Sequence, residues 1–146
     1  MPQAPSHDST LPQDVADFCL QQVPDVQQNR SSFASSDLWA AVAKTGTSLW
    51  LDTGDIEAAK ALWTQNFVAL TTNNTLLNNE VQKGIYDTLV PSTAKLLQDK
   101  GISGDHIVQE VAFVLNAVHG LKLVRTFDAD VSVELHTAIT DDAEAS

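Results

Sequence analysis

The tightest constraint on this chain lies between Ser48 and Leu77, SLWLDTGDIEAAKALWTQNFVALTTNNTLL. A short apolar run, Ser48–Leu51, ends in Asp52-Thr53-Gly54-Asp55. Helical spacing follows from Ile56 to Trp63, with Ile56, Ala59, Leu62 and Trp63 apolar. A second apolar run, Phe67–Leu70, ends in Thr71-Thr72-Asn73-Asn74. Strand, crossover helix and strand in so short a span is a parallel βαβ unit, because parallel neighbours need a connection of about a dozen residues or more. Ligands of such units gather at the carboxyl ends of the strands, where both polar clusters lie.

On either side of this unit the pattern is mostly helical. Residues 1–12 read as a tail. Val15, Phe18, Cys19 and Val23 make a short amphipathic helix of Asp14–Val23, and Pro24 ends it. The polar VQQNRSSFASS reads as a linker. Ser36 is the expected N-cap of a helix over Asp37–Lys44, with Leu38, Trp39 and Val42 on one side. Beyond the second strand, Asn79 with Gln82 suggests a capping box for Glu80–Leu89. Pro91 breaks the pattern, Ser92–Lys100 resumes it, and a long half-buried helix runs from Ser103 or Gly104 to about Thr126. A third strand is predicted from Val131 to His136. The closing TDDAEAS looks like the start of another helix, too short to be viable alone, so the chain is expected to be cut short.

Alternation along the three strands gives a second, independent pattern. If Asp52 points to one face, Ser48 and Trp50 join it. Thr71 and Asn73 bring Phe67 and Ala69, and Glu134 brings Ser132 and His136. The opposite face then holds Leu49 and Leu51, Val68 and Leu70, and Val131, Val133 and Leu135. That second set is wholly aliphatic and suits a layer of helices.

The ordered trio DTGDI, TTNNT and VSVEL resembles the opening of transaldolases. The family pattern there is DT, then TTNPS or TTNPT, then VSTEV or VSAEV, and Asn74 stands here in place of the proline. The likeness runs from about Ser48 to the end of the chain. It implies an α/β fold: the first three strands of a TIM-type (β/α)8 barrel, preceded by a helical N-terminal extension. On this division, residues 1–36 are tail and short helix. Residues 37–146 are an incomplete barrel domain, truncated before strand 4, since a whole barrel takes about 250 residues.

The resemblance further implies transfer of a dihydroxyacetone unit between sugar phosphates, as in the pentose phosphate pathway, through a lysine imine and with no cofactor. It gives Asp52 the role of general base and acid at the substrate C4 hydroxyl. Thr71 and Asn73 would orient the substrate or the aspartate. Glu134 would position a water that moves protons during imine formation. Fructose-6-phosphate aldolases, which are related, tend to carry glutamine at that last position.

Plainer readings compete at each residue. Asp52 could cap a helix, although Asp55 suits that role better. Thr71 and Asn73 could close a turn, and Glu134 could be a buried, hydrogen-bonded carboxylate. In the family the imine lysine lies on the fourth strand. The six lysines here, Lys44, Lys60, Lys83, Lys95, Lys100 and Lys122, all fall on predicted helices or their ends. This chain alone is therefore expected to be inactive. The alternatives are a non-catalytic partial-barrel module or an aldolase-like lyase.

A formal net charge of −11 argues against nucleic acid or an anionic membrane as partner. It leaves only Arg30 and Arg125 for bidentate phosphate binding, which a missing later half would explain. The lone Cys19 forms no internal disulfide, and with no leader-like apolar segment at the N-terminus a cytoplasmic protein is expected. His7, His106, His119 and His136 lack metal-ligand spacing. Asp52-Thr53-Gly54-Asp55 is D-x-x-D rather than the D-x-D of dehalogenase-type phosphatases. No glycine-rich phosphate loop or G-x-S-x-G elbow is present. Open strand edges and outward Trp50, Phe67 and Ala69 are expected to make the isolated chain aggregation-prone, with a homo-oligomer one outcome.

Overall fold

The computed structural model describes residues 10–23, 25, 28–104 and 106–134. Three parallel strands, β1 (Leu49–Asp52), β2 (Phe67–Thr72) and β3 (Asp130–Val133), lie side by side in that order. The helices are α1 (Leu11–Gln21), α2 (Asp37–Ala43), α3 (Ile56–Leu62), α4 (Asn74–Gln82), α5 (Leu89–Asp99) and α6 (His106–Phe127). The architecture is mixed α/β, with helices packed on one sheet face. Leu135 and His136, read from sequence as the end of the third strand, lie outside the described residues.

The core divides in two along α6. Between the sheet and its helices, Ala59, Trp63, Phe67, Leu70, Leu123, Phe127 and Ala129 are buried together, with Leu49, Leu51 and Val131 packed on them. Leu49, Leu51, Leu70 and Val131, four of the seven aliphatic residues that alternation assigns to the helix-facing side, thus take it, whereas Val68 and Val133 are not in this cluster and Leu135 lies outside the described residues. The second cluster joins Cys19 and Val23 to Leu77, Tyr86, Leu89, Val114, Leu115 and Val118. Burial pushes the Cys19 thiol above its usual pKa, so it behaves as a small core hydrophobe. By length and composition alone α6 could cross a membrane. Here its Val114, Leu115 and Val118 face one cluster and its Leu123 and Phe127 the other.

Phe67 corrects the alternation argument. It lies on the helix side, stacked on Trp63 at 5.2 Å and edge-on to Trp39 at 5.7 Å, not on the face of Thr71. A register shift between Leu49 and Trp50 is the reason. Leu49 pairs with Phe67, yet Trp50 pairs with Ala69, so one extra residue turns Phe67 over to the apolar layer. Ala69, between Trp50 and Asp130, is only 2% exposed. Of the three residues expected to face solvent, Trp50 alone does, at 57%.

Helix boundaries follow local capping chemistry. Ser36 and Asp55 cap α2 and α3 as expected, accepting from Trp39 N–H at 3.4 Å and Ala58 N–H at 2.9 Å. After β2 the cap is Asn73, which accepts from Leu76 N–H at 2.9 Å, so α4 starts six residues before the expected Glu80. Pro91 does not interrupt a helix but sits in the first turn of α5, where a missing N–H costs nothing. Leu38, expected beside Trp39, is 65% exposed.

The stretch read as a linker is anchored. Arg30 donates from Nε and Nη2 to the Asp128 carbonyl at 3.1 and 2.8 Å, and its N–H meets Asp128 Oδ2 at 3.1 Å. Asp128, at φ 49°, is the left-handed residue that turns α6 into β3. The β1–α3 loop is anchored at Gly54, where an added Cβ would come within 3.0 Å of the Leu76 carbonyl oxygen and 3.1 Å of its carbon. Gly54→Ala should therefore cost about 1–3 kcal/mol, because backbone has to move. A urea midpoint unchanged by the substitution would show that the loop does not rest on α4.

Candidate functional site at the carboxyl rim of the sheet

The rim is built where β1 and β2 end. Asp52 is the last residue of β1 and pairs across the ladder with Thr71, which pairs in turn with Ser132. Thr71 Oγ1 donates to Asp52 Oδ1 at 2.7 Å, a short charge-assisted bond that fixes the carboxylate rotamer. The next residues continue the register, with Thr53 N–H on the Thr71 carbonyl at 2.9 Å. Asp52 caps nothing here, since α3 is capped by Asp55.

Asn73 and Glu134 each bond to a backbone N–H in the first turn of α4. The Asn73 carboxamide oxygen is committed to the cap. Glu134 continues the ladder beyond β3, its N–H on the Thr72 carbonyl at 3.3 Å, and its Oε2 accepts the Asn74 N–H at 3.3 Å. A carboxylate there is favoured by the exposed N–H groups and positive end of the helix. Asn116 of α6 steadies this turn by donating to the Asn74 side chain at 3.1 Å. Of the four residues singled out from sequence, Asp52 and Thr71 are hydrogen-bonded to each other, whereas Asn73 caps α4 and Glu134 accepts from the neighbouring Asn74 N–H rather than from Asn73. Two carboxylates and a hydroxyl at one sheet rim can accept, hold and return protons.

The basic groups near the rim are engaged. Lys83 bonds Asp55 at 2.7 Å and Glu80 at 2.6 Å. The Asp55 carboxyl is held below its ordinary range, first by the Ala58 N–H and then by Lys83. The Lys83 ammonium is pushed up, first by Asp55 and then by Glu80. Lys122 lies 4.5 Å over the Tyr86 ring, and burial lowers its pKa. All six lysines stand on helices or at their C-caps, as the sequence indicated.

Two features escaped the sequence reading. Beneath the rim, Tyr86 Oη and His119 Nδ1 are 2.8 Å apart, and both residues are 1% exposed. Their signal was polar residues at core positions of apolar periodic segments. On the helix side of the sheet, Val15, Cys19, Leu121, Val124, Val131 and Val133 help line an apolar cavity of about 540 Å³. It contains none of the four rim residues. Among the described residues, no three His, Cys, Asp or Glu side chains converge as metal ligands.

No known protein-family model matches this chain, and no curated protein matches it significantly.

Proposed function

We propose that this chain is the front portion of a transaldolase-type (β/α)8 barrel, contributing the acid–base half of a dihydroxyacetone transfer between sugar phosphates. The observation that carries the reading is the hydrogen bond from Thr71 to Asp52, across adjacent parallel strands at their carboxyl rim. Strands in consecutive order, each polar at that end, are what the opening of such a barrel requires.

In this reading a lysine amine from a later strand condenses with the ketose C2 carbonyl and releases water. Asp52 takes the C4 hydroxyl proton as the C3–C4 bond breaks. The bonding electrons pass into the iminium to give an enamine, and an aldose phosphate leaves. Asp52 returns the proton when the acceptor aldehyde is attacked. Glu134 holds the water that shuttles protons at C2, and its seat on Asn74 fixes its position. Thr71 orients Asp52, while Asn73 shapes the rim by capping α4. Such chemistry belongs in the cytoplasm and uses no cofactor.

The decisive experiment fuses this chain to the lysine-bearing later strands of a transaldolase and treats the product with fructose 6-phosphate and borohydride. One covalent adduct on the later-strand lysine is expected, and none on the six lysines of the 146-residue chain alone. A fusion that folds yet traps no adduct rejects the reading. An adduct on the lone chain rejects the division of labour. The exposure of Trp50 on the open sheet face favours a second reading, a non-catalytic module that covers this face with a partner.

A further inference from the structure

The outer edge of the sheet presents a surface that neither the rim nor the core uses. Among the described residues β3 pairs with β2 alone, so its far side is an unpaired strand edge. Successive residues of a parallel strand send their backbone groups to opposite neighbours. The Glu134 N–H points to β2, where it meets the Thr72 carbonyl, so the N–H and C=O of Val131 and Val133 point outward. The side chains of the same two valines line the apolar cavity of about 540 Å³, beside Val15, Leu20, Leu121 and Val124. Leu20 is 47% exposed, so this cavity is a trough open to solvent. Unused donors and acceptors thus stand directly along an apolar trough.

The other face of the edge carries negative charge. Asp130, Ser132 and Glu134 alternate with the two valines, and all three are exposed. A strand added here sets every second side chain in the trough and the others beside Asp130 and Glu134. The fitting sequence therefore alternates apolar residues with lysine or arginine. A second copy of this chain does not meet that pattern. Its own edge strands read Leu-Trp-Leu-Asp and Asp-Val-Ser-Val, with no basic residue in either. Each copy also carries a formal net charge of −11.

We propose that β3 and its trough form a docking site for an extended segment of a partner protein, alternating apolar and basic residues, which adds a strand to the sheet. Backbone pairing along Val131 and Val133 holds the segment, and the trough selects its apolar side chains. Asp130 and Glu134 select the basic ones and reject acidic sequences. The inference does not rest on the sugar-phosphate reading, and no turnover enters its test. A complete barrel would give this edge to its own next strand, so the site is one that the 146-residue chain presents.

Fluorescence anisotropy of the 146-residue chain with a short labelled peptide alternating valine and lysine measures the site. A second peptide of the same composition, with its lysines grouped at one end, carries equal charge without the alternation. The alternating peptide should bind at least about tenfold tighter, the weight of two paired backbone groups. Val133→Pro removes an outward N–H and leaves the ladder to β2 intact, so most of that advantage should vanish with the far-UV circular dichroism unchanged. Asp130→Lys tests the same surface without touching the backbone and should weaken the alternating peptide about fivefold. Hydrogen exchange should find the Val131 and Val133 amides unprotected in the chain alone and protected with the alternating peptide. Equal binding of the two peptides overturns the proposal, as does binding that Asp130→Lys leaves unchanged. Edge amides already protected in the chain alone overturn it too, whether residues 135–146 or a second copy covers them.

Discussion

Phe127→Ala should lower the unfolding free energy by about 3–5 kcal/mol, the range for deleting a fully buried aromatic ring. Phe127 is 0% exposed and ends α6, where the helix meets the sheet. Its ring stacks with Phe33 at 6.0 Å and tilts against Trp63 at 4.8 Å, and Trp63 leads on to Phe67. Removing it therefore opens a cavity at the centre of the aromatic chain that seals the sheet to α3, α6 and the Phe33 stretch. Collapse into that cavity is hindered because Arg30 and Asp128 pin the two backbones beside it. Such a loss is a large share of the roughly 5–15 kcal/mol that holds a small domain together. Urea denaturation followed by tryptophan fluorescence checks it. A change below about 1 kcal/mol would mean that this core is not closed around Phe127.

The same core shows where sequence reasoning succeeds and where it stops. Ser48–Leu77 was legible as βαβ because a strand period and a helix period alternate over a span that permits only a parallel return. The caps at Ser36 and Asp55 were legible because a side chain reaching an N–H three residues on is local chemistry. The side of the sheet taken by Phe67 was not. A single-residue slip against β1 turns it over, and the slip goes with packing on Trp39 of a separate helix as well as on the nearby Trp63.

Asn73 illustrates a different limit. TTNNT serves equally as a strand end and as a helix start, and the structure uses it as both. Arg30 sits in a polar stretch whose composition is that of a linker, and only its partner 98 residues away reveals an anchor. Tyr86 and His119, 33 residues apart, are coupled in the same way. Of the candidate site, the Asp52–Thr71 pair was foreseeable from alternation. The seat of Glu134 on α4 was not, because it depends on where α4 begins.

On the proposed transaldolase reading, Asp52→Ala in the fused, complete barrel should lower kcat/KM by about 10²–10⁴-fold, the usual contribution of a positioned acid–base group. The loss should appear in kcat, because the proton at C4 moves only as the C3–C4 bond breaks. Imine trapping should persist, since condensation at C2 does not need this carboxylate, whereas Glu134→Gln should slow the trapping itself. Thr71→Val keeps the shape of the side chain but removes the donor 2.7 Å from Asp52 Oδ1. Its cost should be smaller, about five- to tenfold, as for one lost hydrogen bond. The double variant should be no worse than Asp52→Ala, because Thr71 acts through the carboxylate it orients. Full additivity would place Thr71 on the substrate in its own right. An Asp52→Ala enzyme that retained more than about a tenth of the activity would remove the aspartate from the chemistry and return it to a strand-end role.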